Sequence, residues 1–333
     1  MKFMSAPYCS FQWKLDVALK EDYKENLFQN MLRLGIKDID RDNVIRQYWN
    51  MQKRLISDRP RRVVYSKEFH CPEEYERALA EFEERVRKGG NLHPFMSDKI
   101  LKSSYNDLLL NDWNIYHFHL TRRFRDDGFA ARNKYEIFAY VTDDAFYMVQ
   151  IYLHSEDHLY SKQEMVRIIR DNWPGLLERF HLNGVSCLSE KVDDSSYEML
   201  RKAHISTMVE LGENEVYGMI GGGYASNGYS VEALRKADFW EKRLEVFQNI
   251  VVDNAGIILK TIEENFDVCS NPYMNIKLLW MDHADKVTLA EKIRNLVIQI
   301  DVKANFIRIC EPYEVFMDSN KDWMFSFQGK REI

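Results

Sequence analysis

The chain has 333 residues, of which 45% are hydrophobic, 13% aromatic and 29% charged, and its formal net charge is -6. This length exceeds that of one compact domain and predicts two or three cores. The aromatic content excludes intrinsic disorder, and the acidic balance excludes a protein that coats nucleic acid through a global positive charge.

Cysteine usage and hydropathy indicate the compartment. The five cysteines are odd in number, form no C-x-x-C pair, and are Cys9, Cys71, Cys187, Cys269 and Cys310. This is neither a disulfide framework nor a zinc motif, and it favours a reducing cytoplasm. The N-terminal segment lacks the apolar run of a signal peptide, and no stretch of about 18 uncharged apolar residues occurs. We therefore expect a cytoplasmic protein with no membrane partner.

Residues 1–90 are predicted to form a helical N-terminal region. Apolar residues at helical spacing between residues 11 and 58 indicate two or three amphipathic helices. The basic segment RPRRVVYS contains a short β-branched run, after which Pro72 opens a charged helix that continues through Arg87. The pair Gly89-Gly90 ends that helix and marks a domain boundary.

Residues 91–185 are predicted to form a central α+β unit. The runs NIYHFHL, YEIFAYV and AFYMVQIYL alternate or are rich in aromatic and β-branched residues, which predicts three consecutive strands. The turn composition Thr142-Asp143-Asp144 joins the last two strands as a hairpin. The helical segment SKQEMVRIIRDNW follows, stops before Pro174 and is expected to pack against the sheet.

Residues 186–333 are predicted to form a C-terminal α/β region. A strand pair about Gly212-Glu213-Asn214 comes first, and the glycine-rich loop GGGYASNG follows it. The helical period then extends from Ser230, a good N-cap residue, to about Asn265, which predicts a long helix.

The last part of this region suggests a β-α-β order. Residues 275–281 and 304–310 are predicted as strands, and Thr288 to Ile300 is predicted as a helix with a capping box formed by Thr288 and Glu291. The expected fold class is therefore α+β, with a helical N-terminal region, a small antiparallel-sheet unit in the centre and a C-terminal α/β region that contains a long helix.

The most unusual local feature is the pair His117 and His119, because strand alternation places both imidazoles on one face. Histidines titrate near neutral pH, so such a pair can act as general acid and general base. The other candidate catalytic residues are Arg123, Tyr152 and His154. These groups suit metal-independent RNA cleavage, in which a base activates the 2′-hydroxyl, an acid protonates the leaving oxygen and an arginine balances the phosphate charge.

Two other interpretations of the histidines remain open. If backbone carbonyls satisfy His117 and His119, these residues are structural, and the chain is a non-catalytic module that binds a protein or a nucleic acid. If His154 joins them as a third ligand, the chain is a metal-dependent hydrolase, although no His or Cys elsewhere keeps ligand spacing with the pair. The leading interpretation requires neither a metal nor another cofactor.

The glycine-rich loop is a second candidate site. It matches neither G-x-G-x-x-G nor the P-loop motif, and a tight turn or bulge is its structural interpretation. In the functional interpretation the loop and the following helix N-terminus bind a phosphate or a base. The candidate substrate-binding residues are Arg122 in the basic loop and, in the glycine-rich loop, Gly222, Gly223, Tyr224, Ser226 and Asn227.

The order of NIYHFHL, the basic loop TRRFRDDGFAARNK, YEIFAYVTDDAFYMVQIYLH and a helix resembles bacterial toxins of the RelE and HigB kind, which are small ribonucleases that cleave messenger RNA. The resemblance covers about 50 residues, from Asn114 to Arg167. It implies an RNA substrate, a role as a toxin or antiviral defence effector, and an inhibitory or activating protein partner. It points to the same five catalytic residues. The block LLLNDWNIYHFHL also resembles a second bacterial family, which implies no activity.

Overall fold

The structure is a computed structural model and describes residues 2–4, 13–268, 271–283, 285–311, 315–317 and 323–325. Within these residues the α-helices are α1 (Leu19–Arg33), α2 (Val44–Arg54), α3 (Glu76–Lys88), α4 (Leu108–Trp113), α5 (Glu164–Asn172), α6 (Asp194–Lys202) and α7 (Val231–Asn265). The described strands are β1 (Lys2–Met4), β2 (Trp13–Val17), β3 (Arg62–Tyr65), β4 (Ile115–His119), β5 (Tyr135–Val141), β6 (Ala145–Leu153), β7 (Val209–Gly212), β8 (Glu215–Tyr217), β9 (Tyr273–His283), β10 (Lys286–Glu291), β11 (Leu296–Asp301), β12 (Phe306–Cys310), β13 (Val315–Met317) and β14 (Trp323–Phe325). These elements confirm the predicted α+β class and the long helix α7.

The chain divides into two compact units. The first unit consists of residues 1–30 and 237–333, and the second consists of residues 31–236. The predicted boundaries near residues 90 and 185 both lie within the second unit. The sheet crosses the boundary near residue 90, because β3 pairs with β6. The first unit is assembled from segments far apart in sequence, and β2 pairs in parallel with β9.

The first unit contains a sheet in the order β1-β2-β9-β10-β11-β12. Its core combines α7 residues at helical spacing, such as Phe247, Val251 and Ile258, with inward-facing sheet residues such as Leu289 and Ile298. All five side chains are at most 2% exposed. The apolar stripe of α7 therefore explains why this part of the predicted helix is stable.

The predicted helix from Thr288 to Ile300 is wrong, because this segment forms the hairpin of β10 and β11. The inward-facing positions Val287 and Leu289 alternate with their neighbours at a period of two, and Leu289 lies opposite Ile298. Glu291 does not complete a capping box. Its carboxylate instead accepts hydrogen bonds from the amides of Ile293 (3.2 Å) and Arg294 (2.8 Å) in the turn.

The second unit is built on a sheet in the order β3-β6-β5-β4. The three central strands and their hairpin are confirmed as predicted, with β4, β5 and β6 antiparallel. One face of the sheet packs against α3, where the ring of Phe82 contacts the rings of Phe118 and Phe146. The other face packs against α5 through residues such as Ile169, and this face also carries the histidines of β4.

Two helices of this unit were not predicted from sequence. Helix α4 has six residues and is buried on nearly all sides, so it shows no amphipathic period. Its N-cap is Asp107, whose carboxylate accepts a hydrogen bond from the Leu110 amide at 3.0 Å. Helix α6 is capped in the same way by Asp193, which accepts from the Ser196 amide at 2.7 Å.

No helix in the described ranges is long and apolar enough to cross a membrane. Of the cysteines, Cys71, Cys187 and Cys310 have free thiols, and Cys9 and Cys269 lie outside the described residues.

Candidate active site

Three predicted catalytic residues, His117, His119 and His154, line one cavity of about 570 Å³ in the second unit. The first two come from β4, and His154 follows the end of β6, where its amide donates to the Lys134 carbonyl at 2.7 Å. The sequence did not give the strand order on which the proximity of His154 to the histidine pair depends. In the sheet β4 and β6 are separated by β5 alone, and this order brings His154 near the pair.

A buried carboxylate lies at the centre of this histidine group. Glu136 of β5 is directly opposite His119 in the β4–β5 register, and its side chain is 1% exposed. Its Oε1 lies 3.1 Å from Nδ1 of His119 and 3.9 Å from Nε2 of His154. The first contact has the distance of an ion pair but not the alignment of a regular hydrogen bond. The Tyr160 hydroxyl donates to Oε2 of Glu136 at 2.8 Å.

Electrostatics keep Glu136 ionised. Burial by itself raises the pKa of this carboxyl, but the contact with His119, the charge of His117 and the Tyr160 hydrogen bond together outweigh burial and lower its pKa to about 2. Burial and the adjacent Glu136 carboxylate raise the pKa of Tyr160, so its hydroxyl remains a donor at neutral pH. Glu136 can therefore orient and stabilise an imidazolium, but it cannot supply a proton at neutral pH.

His117 faces a different carboxylate, that of Asp107. Its Nδ1 lies 3.7 Å from Oδ2 of Asp107, while Oδ1 of Asp107 caps α4. The cap therefore fixes the carboxylate that faces the imidazole. Both side chains are recessed, with exposures of 12% for His117 and 8% for Asp107.

The two strand histidines thus have the same arrangement. Nδ1 of each imidazole faces a carboxylate, and within the described part of the chain no residue hydrogen-bonds to Nε2 of His117 or His119. Neither Nδ1 makes a regular hydrogen bond to its carboxylate, so the carboxylates act on the rings through their charge. Nε2 of each ring is left to exchange a proton with a substrate. The cavity therefore holds two imidazoles, each beside a carboxylate, that are suited to general acid–base chemistry.

The other predicted catalytic residues do not line this cavity. Tyr152 lies opposite Glu136 on the same sheet face, but its hydroxyl donates to Glu164 of α5 at 3.0 Å and its ring packs in the core. Arg123 is exposed in the loop after β4. Arg122, predicted to bind substrate, pairs with Glu81 of α3 at 2.8 Å.

The glycine-rich loop packs against the backbone of α4. The Gly221 amide donates to the Asp112 carbonyl at 2.6 Å, and the Gly223 amide donates to the Asn111 carbonyl at 2.9 Å. A Cβ atom at Gly221 would collide with the carbonyls of Leu110 and Asn111, so this close approach requires glycine. These two amides are therefore already used within the protein.

The predicted ligand-binding side chains of this loop are also outside the cavity. Gly222 and Gly223 adopt positive φ angles of 93° and 78°. The buried Tyr224 donates its hydroxyl to the Ile205 carbonyl at 3.1 Å. Ser226 and Asn227 are exposed, and their backbone carbonyls accept hydrogen bonds from other parts of the second unit.

The sequence prediction missed several residues of the site. The missed residues that line the cavity are Asp107, Glu136, Tyr160, Lys99 and Arg201, whereas Arg132, which also lines it, belongs to the predicted basic loop. One signal was visible, because a glutamate inside the apolar strand YEIFAYV is rarely buried without a partner. Arg201 carries no such signal. Its guanidinium pairs with the buried Asp112 at 2.7 Å and stacks 4.3 Å from the Trp113 ring.

The histidines and carboxylates of this site are of the residue types that bind metals. In the ranges that the structure describes, no group of three or more His, Cys, Asp or Glu side chains has the geometry to hold a metal ion. Nε2 of the exposed His154 lies 3.9 Å from Oε1 of Glu136.

The fold and the cavity define the class of protein: an α+β protein with a recessed site in which histidines face carboxylates. No family model, no curated protein and no solved structure matches the chain.

Proposed function

We propose that the chain is a metal-independent endoribonuclease in which His117 and His119 form the general acid–base pair. The observation that supports this proposal is the pair of His–carboxylate contacts, His117 with Asp107 and His119 with Glu136, within one cavity. Two imidazoles of this kind can carry out both proton transfers of the reaction, and RNA carries its own nucleophile in the 2′-hydroxyl.

The reaction proceeds by transesterification. One imidazole removes the proton of the 2′-hydroxyl, and O2′ attacks the adjacent phosphorus. The P–O5′ bond breaks, and the other imidazole, which is protonated, gives its proton to O5′. The products carry a 2′,3′-cyclic phosphate and a 5′-hydroxyl. Glu136 and Asp107 stabilise the imidazolium forms by their negative charge.

The biological setting follows from the resemblance of residues 114–167 to RelE- and HigB-like toxins. On this proposal the protein acts in the cytoplasm as a toxin or antiviral defence effector, and a protein partner inhibits or activates it. RNA is its substrate, and the reaction uses no cofactor.

The decisive experiment compares the wild type with a His117→Ala, His119→Ala double variant, expressed from a tightly controlled promoter. We expect growth arrest and RNA cleavage with the wild type alone. The fragments should end in 2′,3′-cyclic phosphate, and cleavage by purified protein should persist in chelator. His70→Ala is a matched control, because His70 is exposed and lies outside the cavity.

The alternatives predict other results. A metal-dependent hydrolase would lose activity in chelator and regain it with the metal. A non-catalytic interaction module would leave RNA intact with every variant, while removal of the structural histidines would lower the free energy of unfolding.

A further inference from the structure

Two cations at the cavity have no ion-pair partner among the described residues. Lys99 belongs to the 3₁₀ helix Asp98–Leu101, and Arg132 lies in the loop between β4 and β5. Lys99 makes only a long contact to an aromatic ring, 6.0 Å from the Tyr105 centroid. Arg132 influences Asp98 through its charge alone.

The other cations near the cavity are already neutralised. Arg201 pairs with Asp112 at 2.7 Å, and Lys202 pairs with Glu198 at 2.6 Å. Arg122, on the adjacent loop, pairs with Glu81. Lys99 and Arg132 are both exposed, so they can reach a ligand at the mouth of the cavity without breaking an internal ion pair.

The interior of the cavity makes such cations necessary for an anionic substrate. Glu136 and Asp107 place negative charge beside the two imidazoles. A phosphodiester that approaches these carboxylates is repelled unless positive charge lies on its other side. Lys99 and Arg132 are the lining residues whose charge is available for this purpose.

The depth of the site limits the form of the RNA. His117 and His119 are each 12% exposed, and the cavity of about 570 Å³ has the size of a small-ligand site. A base-paired helix is too wide to bring its backbone to these imidazoles, whereas an unpaired nucleotide can be turned into the cavity. In-line attack by O2′ also requires a backbone that is free to rotate.

We propose that Lys99 and Arg132 bind the phosphates of single-stranded RNA at the cavity mouth, and that an unpaired strand is the substrate class. This inference rests on the proposed ribonuclease function. Arg132 belongs to the basic loop that the sequence suggested for phosphate binding, whereas Arg122 and Arg123 of the same loop do not line the cavity.

The test measures binding separately from cleavage. The probe is a labelled single-stranded 2′-O-methyl RNA, which cannot be cleaved because its 2′-oxygen carries no proton, and anisotropy gives its affinity for the full chain. Lys99→Gln and Arg132→Gln remove the two charges. The matched controls are Lys102→Gln and Lys134→Gln, which remove exposed charges close by in sequence and outside the cavity.

We expect each cavity variant to bind about tenfold more weakly, the effect of losing one charge-assisted hydrogen bond. The plot of log affinity against log salt has a negative slope, and its steepness should decrease by about 0.7 for each lost phosphate contact. The controls should bind like the wild type, and the same sequence as a duplex should bind more weakly than the single strand.

Cleavage of unmodified RNA by the same preparations distinguishes the two proposals. If the wild type cleaves RNA but Lys99→Gln and Arg132→Gln bind the probe normally, the phosphate-binding role is wrong and the ribonuclease proposal survives. If binding depends on both residues but no RNA is cleaved, the ribonuclease proposal fails alone. Equal affinity for the duplex overturns the single-strand assignment, and no binding of either probe overturns the whole inference.

Discussion

Glu136 is the residue on which the site depends most. Its pKa is lowered to about 2 from the ordinary 4.5, so its contribution to stability is fully present above pH 4.5 and is lost as the pH falls toward 2. In Glu136→Gln this contribution is absent. The difference in free energy of unfolding between wild type and variant should therefore shrink as the pH falls from 4.5 toward 2. Urea denaturation at several pH values measures it, and a difference that stays constant down to pH 3 would contradict the lowered pKa.

Tyr160 holds Glu136 in place through one hydrogen bond. Tyr160→Phe removes the donor and leaves a buried carboxylate oxygen without it, which should cost about 1.5–3 kcal/mol of the free energy of unfolding. We expect kcat for RNA cleavage to fall more than KM rises, since Tyr160 acts through Glu136. Tyr147→Phe is the control, because the Tyr147 ring packs on Trp173 away from the cavity. A stable variant with normal kcat would show that Tyr160 has no positioning role.

Helix α4 begins after Asp107, whose carboxylate both caps the helix and faces the imidazole of His117. Asp107→Asn retains an oxygen that can cap α4 but removes the charge that faces His117, whereas Asp107→Ala removes both. Loss of the cap should cost about 1 kcal/mol in the Ala variant and much less in the Asn variant. Both variants should lower kcat for RNA cleavage, because both remove the charge that faces His117. If only the Ala variant changes activity, the charge of Asp107 is not used.

The link between α4 and α6 is a buried ion pair. Arg201 and Asp112 have exposures of 5% and 1%, so Arg201→Met leaves an uncompensated carboxylate in the core. We expect a loss of about 3–5 kcal/mol in the free energy of unfolding, with partial recovery in the double variant Arg201→Met, Asp112→Leu. Arg122→Met is the control. It breaks the exposed pair with Glu81, which should cost less than about 1 kcal/mol.

Each compact unit of the molecule has a core of its own. In the first unit Phe247 of α7 is 0% exposed, while Phe239 of the same helix is 45% exposed. Phe247→Ala should therefore lower the free energy of unfolding by about 3–5 kcal/mol, and Phe239→Ala should have a much smaller effect. Chemical denaturation measures both. Equal losses would show that α7 is packed differently.

The sequence by itself determined the elements whose patterns are local. The alternation in NIYHFHL, the hairpin at Thr142-Asp143-Asp144 and the long apolar period of α7 each identified an element correctly. The histidine pair was found for the same reason, because a period of two places His117 and His119 on one face within a single strand. The hairpin of β10 and β11 was mistaken for a helix, since a short apolar run fits either period.

Only the tertiary structure decided which residues share the cavity. Glu136 meets His119 through the register of β4 and β5, and Asp107 meets His117 because a short helix precedes β4. Lys99 comes from a further element, the 3₁₀ helix Asp98–Leu101. Tyr152 has the alternation of a site residue, yet its hydroxyl binds Glu164 in the core. Local periodicity fixes the face of a strand on which a side chain lies, whereas long-range packing fixes what that side chain contacts.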